Sequence, residues 1–366
     1  MDIRRRQSRK VWVGKVPIGG DAPISIQSMT KTDTRNIEAT LEQIKSLEKT
    51  GCDIIRVAVP DKKAAYALAE IKTHINLPLV ADIHFDYRLG LIALESGVDK
   101  IRINPGNMRE EHLGMVVEAA RKKNVPIRLG VNAGSLEKDV LDKYGHPTPE
   151  ALVESVLRQV EFMEGMNFSS IIISLKGSNV LTVVDAYRQI ASQTDYPLHL
   201  GVTEAGLSPG GIVRSAMGIG CLLMEGIGDT IRVSLSGPPE EEVKVGKEIL
   251  KSLGLRKLGP IVISCPTCGR AEIDVVDIAS KVEAAVQHLS WPWKIAVMGC
   301  VVNGPGEARE ADFGIAGGRH IGIIFHRGEI IRRVKEEELV SALLEEIAKE
   351  GGCDASEETL ARSKCG

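Results

Sequence analysis

The feature that most restricts this chain is an eightfold alternation through its first 240 or so residues: a short apolar run, a polar turn, then a helix-like stretch. The runs are PISIQSM (23–29), DIIRVAV (53–59), LPLVADIHF (77–85), KIRINPG (100–106), PIRLGVNAG (126–134), SIIISLKG (170–177), PLHLGVTEAG (197–206) and TIRVSLSG (230–237). Each is short and rich in β-branched residues, and is expected to be a strand. Between them lie amphipathic segments such as IEATLEQIKSLEKTG and ALVESVLRQVEFMEG; Thr148 and Pro149 read as N-cap and first residue of the latter helix. Strands separated by helices run parallel, and eight such units in about 250 residues have the size of a (β/α)8 barrel. The pattern changes after KSLGLRKLGP (251–260), where strands, two helices and a hairpin around HRG suggest a small α+β domain. The expected organisation is an α/β chain: a TIM barrel over 1–255, an α+β domain over 259–350, and a polar tail over 351–366.

Side chains alternate across a strand, so the apolar positions of each run mark the face that meets the helices. Ile55, Val57 and Val59 leave Arg56 inside, and Ile101 and Ile103 leave Arg102 and Asn104 inside. By the same parity Arg128, Asn132, Ser174, Lys176 and Arg232 face the lumen. Ala81, Ile83 and Phe85 are assigned to the outer face, which turns Asp82 and His84 inward; His199 and Thr203 follow on the seventh strand. Four arginines and a lysine from five strands thus converge, with Asp82 the one acid clearly on their face. Barrel interiors are ordinarily filled by Val, Ile and Leu, and buried unpaired charges cost several kcal/mol each, in order of magnitude. Such a set asks for an anion with more than one phosphate charge, bound at the carboxyl-terminal mouth. The alternative is pairing with loop carboxylates such as Glu204 or Asp33. Glu204 lies just past its strand, where barrel enzymes place catalytic groups.

Composition removes other classes. The net charge is −3 and the chain has only five Phe, five Tyr and three Trp, which argues against a nucleic-acid partner recognised by charge or stacking. No apolar run approaches a membrane span, and the basic start MDIRRRQSRK has no apolar region behind it, so a cytoplasmic location is expected. The seven cysteines then read as thiols, metal ligands or catalysts. Cys265-Pro-Thr-Cys268 ends one expected strand, and Cys300 ends another, leading into a Gly/Pro loop with Asn303 and Glu307. Three soft ligands of this kind suit zinc, completed by an oxygen from Glu307 or water, or an iron–sulfur cluster with one exchangeable position. Cys52 and Cys221 read as packing thiols, and Cys353 and Cys365 as bystanders in the tail.

The segments SIQSMT, IIRVAVP, ADIHFD, KIRINPGN, LGVNAGSL, SLKGSN, GVTEAG, SCPTCGR and MGCVVNGPGE together resemble those of the 4-hydroxy-3-methylbut-2-en-1-yl diphosphate synthases of the bacterial non-mevalonate isoprenoid pathway. The resemblance runs from about residue 5 to 335 and is to the compact two-domain form. It implies reductive ring opening of 2-C-methyl-D-erythritol 2,4-cyclodiphosphate, with electrons from flavodoxin or ferredoxin. It implies a [4Fe–4S] cluster on Cys265, Cys268 and Cys300, with Glu307 on the fourth iron. It further implies a diphosphate site at Arg56, Arg102, Arg128, Lys176 and Arg232 with His84 and Asn132 nearby, Glu204 as acid/base, and Asn303 as a polar contact. A homodimer, with one subunit's cluster domain over the other's barrel, is implied as well. Two other readings fit parts of the pattern: a non-redox barrel enzyme with structural zinc, and a non-catalytic iron–sulfur carrier.

Overall fold

Strand pairing follows the alternation read from the sequence. The computed structural model describes residues 3–104, 106, 108–300, 309–318 and 321–351. The chain divides into two units, Met1–Arg256 and Lys257–Gly366. The first begins with a hairpin, β1 (Val11–Val13) and β2 (Val16–Ile18), whose turn needs the positive φ of Gly14. The barrel strands follow: β3 (Ser25–Met29), β4 (Ile54–Ala58), β5 (Leu79–Ile83), β6 (Lys100–Ile103), β7 (Ile127–Asn132), β8 (Ile171–Lys176), β9 (His199–Leu200) and β10 (Thr230–Ile231). All pairs are parallel, in the order β8-β7-β6-β5-β4-β3-β10-β9. A parallel bridge between Ile173 and Leu198 joins β8 to the start of β9, so the sheet closes on itself.

The helices between the strands begin where the local chemistry allows. The side chains of Asn36, Asp61 and Thr148 each accept a hydrogen bond from a backbone N–H in the first turn, and Pro149 takes the first helical position after Thr148. The hairpin was not among the expected elements, and it closes the barrel's amino end. Val11, Val13 and Ile18 pack with Ile54, Val80 and Ile172, the first inward positions of β4, β5 and β8. An apolar floor therefore lies under the lumen, and the polar positions above it face the carboxyl-terminal mouth.

The second unit is a five-stranded sheet in sequential order: β11 (Ile261–Ser264), β12 (Lys294–Met298), β13 (Phe313–Ala316), β14 (Ile321–His326) and β15 (Glu329–Lys335). The first three strands are parallel and the last two antiparallel, joined by a two-residue turn in which Arg327 and Gly328 both have positive φ. Helices Val275–Val286 and Leu339–Gly351 bury Val282, Val286, Leu343 and Ile347 against Ile295, Val297, Ile315 and Ile324.

Candidate functional site

Strand parity places Arg56, Arg102, Arg128 and Lys176 inside the barrel, and all four are buried. The helix-facing side of these strands is apolar and the charges are shut from solvent, so they sit in a low-dielectric enclosure. Asp82 on β5 is their shared acid. Its carboxylate lies 3.2 Å from Arg102 Nη1, 3.8 Å from Arg56 Nε and 3.3 Å from His84 Nε2. Burial alone would raise its pKa, but Arg56, His84 and Arg102 outweigh burial and hold the carboxyl well below the usual range. One carboxylate cannot satisfy this many donors. Arg56 rests its Nε and Nη2 on the sulfur of Met29, a weak acceptor, and leaves Nη1 without a partner. Arg102 Nε and Arg128 Nε and Nη2 are likewise buried and unpartnered. Burial and then neighbouring arginines push Arg128 and Lys176 well below their ordinary values and bring Arg232 to about 10. The lumen is a site short of negative charge.

Backbone choices make the room. A Cβ on Gly130, the inward residue between Arg128 and Asn132, would lie 2.6 Å from Arg102 Nε. Only glycine lets that guanidinium lie across β7, where its Nη2 donates to the Gly130 carbonyl at 3.3 Å. Asn132 ends β7 with a buried, unpartnered Oδ1. Glu204 is exposed at the mouth, in a left-handed conformation (φ 55°) rare for a non-glycine residue. That conformation is a cost held at a loop of the candidate site.

Several placements differ from the sequence reading. Phe85, assigned to the helix-facing side, is 72% exposed, because β5 ends at Ile83 and parity no longer applies beyond it. His84 lies past the same strand end, at the rim; its side chain is 47% exposed while its ring still reaches Asp82. Asp82 is also not the one acid near the ring. Buried Glu242, in the first turn of helix Pro239–Ser252, lies 3.7 Å from Arg232 and 3.0 Å from Lys31. Asp33, weighed as a partner for the inward arginines, instead pairs with Arg35. Lys100 went unnoticed although it shares the inward face of β6 with Arg102; it is fully buried and its Nζ has no partner.

In the second unit, Cys265 and Cys300 follow the carboxyl ends of the adjacent parallel strands β11 and β12. The Cys265 N–H donates to the Val297 carbonyl (3.2 Å), and the Gly299 N–H donates to Cys265 Sγ (3.1 Å). Cys268 is exposed on the next turn, which folds back so that the Glu272 N–H meets the Gly299 carbonyl (2.8 Å). All three are free thiols at one end of the sheet, and a backbone N–H aimed at sulfur is the kind of contact that tunes an iron–sulfur centre. Donor type and strand-end placement fit such a cluster. Among the described residues no three His, Cys, Asp or Glu side chains are gathered closely enough to hold a metal ion. Asn303 and Glu307, expected to complete this site, lie outside the described residues, as do Cys353 and Cys365. Among the described residues no helix is long and apolar enough to cross a membrane.

The chain resembles known proteins over both units. Residues 8–247 match the GcpE TIM-barrel domain and residues 261–349 the GcpE protein C-terminal domain. A 4-hydroxy-3-methylbut-2-en-1-yl diphosphate synthase (flavodoxin) from Caldanaerobacter subterraneus subsp. tengcongensis is 60% identical over 346 residues, covering 94% of this chain and 98% of its own. One of the same description from Clostridium perfringens is 59% identical, covering 93% and 98%. Among solved structures, a Yersinia pestis dihydropteroate synthase superposes with a TM-score of 0.51 at 9% identity, over 67% of this chain and all of its own, which shows a shared barrel fold and nothing more. With both domain models matched in order and relatives this similar over nearly their full length, the chain belongs to the GcpE family of 4-hydroxy-3-methylbut-2-en-1-yl diphosphate synthases.

Proposed function

We propose that this oxidoreductase opens the ring of 2-C-methyl-D-erythritol 2,4-cyclodiphosphate reductively. The products are (E)-4-hydroxy-3-methylbut-2-enyl diphosphate and water, formed with two electrons and two protons. Family membership supports the reaction. The observation that carries it onto these residues is the set of cations buried on four barrel strands, Arg56, Arg102, Arg128 and Lys176, with half-buried Arg232 just past a fifth and guanidinium nitrogens of all four arginines unpartnered. Arg56, Arg102, Arg128, Lys176 and Arg232 bind the diphosphate bridge, completing their hydrogen bonds with its oxygens. Planar guanidinium groups suit this task because each offers two parallel donors. Asp82 acts as a positioning residue, fixing Arg56, Arg102 and His84 before substrate arrives. Asn132 and His84 line the bound ligand. Glu204, at the mouth, holds the proton exchanged with the substrate's carbon–oxygen framework.

Cys265, Cys268, Cys300 and Glu307 would hold a [4Fe–4S] cluster, with Asn303 beside it. When bound, that group supplies electrons one at a time from reduced flavodoxin, the donor for which the relatives are named, or from ferredoxin. The chain works as a cytoplasmic homodimer in this reading. A stripe of exposed apolar side chains on helix Gly210–Met224, including Val213, Met217 and Met224, supports self-association.

The test is anaerobic purification with iron, sulfide and zinc analysis, then turnover of the cyclodiphosphate with reduced flavodoxin. About four irons per chain and flavodoxin-dependent product are expected. A colourless protein with one zinc and no turnover would refute the redox reading while leaving the anion site in the barrel intact.

A further inference from the structure

Beneath the cation ring lies a second polar layer, of which the proposed reaction uses Arg128 alone. Its members are Ser25, Gln27, Lys100, Arg128, His199 and Thr230, and none is more than 3% exposed. Strand register sets its level. Thr230 is paired with Ser25 on one side and His199 on the other. Lys100 is paired with Val80 of the apolar floor and lies two residues before Arg102 on the same face of β6. Gln27 shares its face of β3 with Met29, which touches Arg56 inside the lumen. The layer is therefore closed below by the hairpin's apolar cluster and above by the ring.

Its hydrogen-bonding inventory does not close. Ser25 Oγ, both amide atoms of Gln27, Lys100 Nζ, Arg128 Nε and Nη2, both ring nitrogens of His199, and Thr230 Oγ1 are all buried without a partner. Donors dominate: the ammonium, two guanidinium N–H groups, an amide NH2, two hydroxyls and an imidazole N–H stand against few acceptors. Arg128 cannot shed its charge by deprotonation, and its one hydrogen bond is to the Ser174 hydroxyl. Asp82, the acid whose charge opposes the shift at Arg128, is already shared by Arg56, Arg102 and His84. Burying this many unmet donors without an acceptor is costly.

We infer that this layer is a binding site for one small monovalent inorganic anion of the halide class, held by Lys100 and Arg128 with His199, Gln27 and Thr230 around it. A monovalent ion suits the enclosure, because every side chain about it is shut from solvent and a multiply charged phosphate would lose far more hydration on entry. Such an ion supplies the missing acceptor and lets Lys100 remain an ammonium. It shares only the Arg128 guanidinium with the diphosphate site, so both are occupied together.

The experiment is thermal unfolding of the cluster-loaded full chain, kept anaerobic, against sodium bromide at constant ionic strength made up with sodium gluconate. Inorganic pyrophosphate is present at saturation throughout to fill the mouth. Bromide at about ten times its dissociation constant is expected to raise Tm by about 3 °C. Lys100→Met should abolish that response while pyrophosphate still raises Tm. Loss of the bromide effect once pyrophosphate is added, or its survival in Lys100→Met, would overturn the inference. If Lys100→Met does not fold, anomalous diffraction from bromide-soaked crystals of the unmodified protein decides. A bromide peak in contact with Lys100 Nζ supports the site, and bromide confined to the mouth or the outer surface refutes it.

Discussion

Gly130→Ala adds one methyl group to the barrel lumen and should weaken substrate binding without replacing a charged residue. The new Cβ would lie 2.6 Å from Arg102 Nε, 3.0 Å from Nη2 and 3.2 Å from Cζ. Arg102 is only 2% exposed and is held by Asp82 at 3.2 Å and by the Gly130 carbonyl at 3.3 Å, so the guanidinium moves only by giving up those contacts. Losing one charge-assisted hydrogen bond is worth about 1.5–3 kcal/mol, which translates to a roughly 10–150-fold weaker Kd for the cyclodiphosphate. Overpacking should also lower stability by about 1–3 kcal/mol. Calorimetric titration of the anaerobically purified protein measures the first quantity and denaturant unfolding the second. Gly165→Ala, where a Cβ meets nothing within 4 Å, is the control and should bind normally. In the background of Arg102→Ala, Gly130→Ala should cost little more, since the two changes act on one contact. Wild-type affinity in Gly130→Ala, or full additivity with Arg102→Ala, would show that the guanidinium does not lie where the barrel places it.

His199 is pushed well below its ordinary pKa, first by burial and then by Arg128, Lys100, Lys176 and Arg56. The unfolded chain therefore takes up this proton more readily, so the associated stability is full above about pH 6.5 and falls as pH drops below it. His199→Gln should flatten the acid side of a Tm-against-pH profile; an unchanged slope would refute the assignment. Cys268→Ala should strip iron from the protein yet leave cyclodiphosphate affinity within about twofold, since distant independent sites add. Glu204→Gln should lower kcat with little change in KM, and a purely raised KM would make Glu204 a binding residue instead.

Much of this was legible because a strand's period is two. Arg56, Arg102, Arg128 and Arg232 each sit between apolar neighbours that must meet helices, and Lys176 follows the alternating Ile171, Ile173 and Leu175, so their direction follows from the chain alone. Lys100 obeys the same rule and was missed because it opens its run, with no apolar residue before it to show the alternation. Phe85 was misassigned for the opposite reason: parity was carried past Ile83, where the strand stops. The floor hairpin was hidden by its size, three residues per strand with an exposed Trp12 between two buried valines. Glu242 approaches from a helix, and no strand pattern reveals a carboxylate that arrives from another element. How Gly130 and Arg102 share space is a matter of ångströms in three dimensions, which spacing along the chain does not encode.

The central claim is that the lumen's cations await a multiply charged anion. Lys176 is held well below its ordinary pKa, by burial first and neighbouring arginines second. A bound diphosphate favours its charged form and raises that value again. The cyclodiphosphate has no phosphate ionisation near neutrality, so any proton exchanged belongs to the protein. Titration calorimetry in buffers of differing protonation enthalpy, from about pH 7 to 9.5, measures that exchange directly. Net proton uptake on binding, diminished in Lys176→Met, is the predicted result. Tight binding with no proton uptake anywhere in that window would contradict the account.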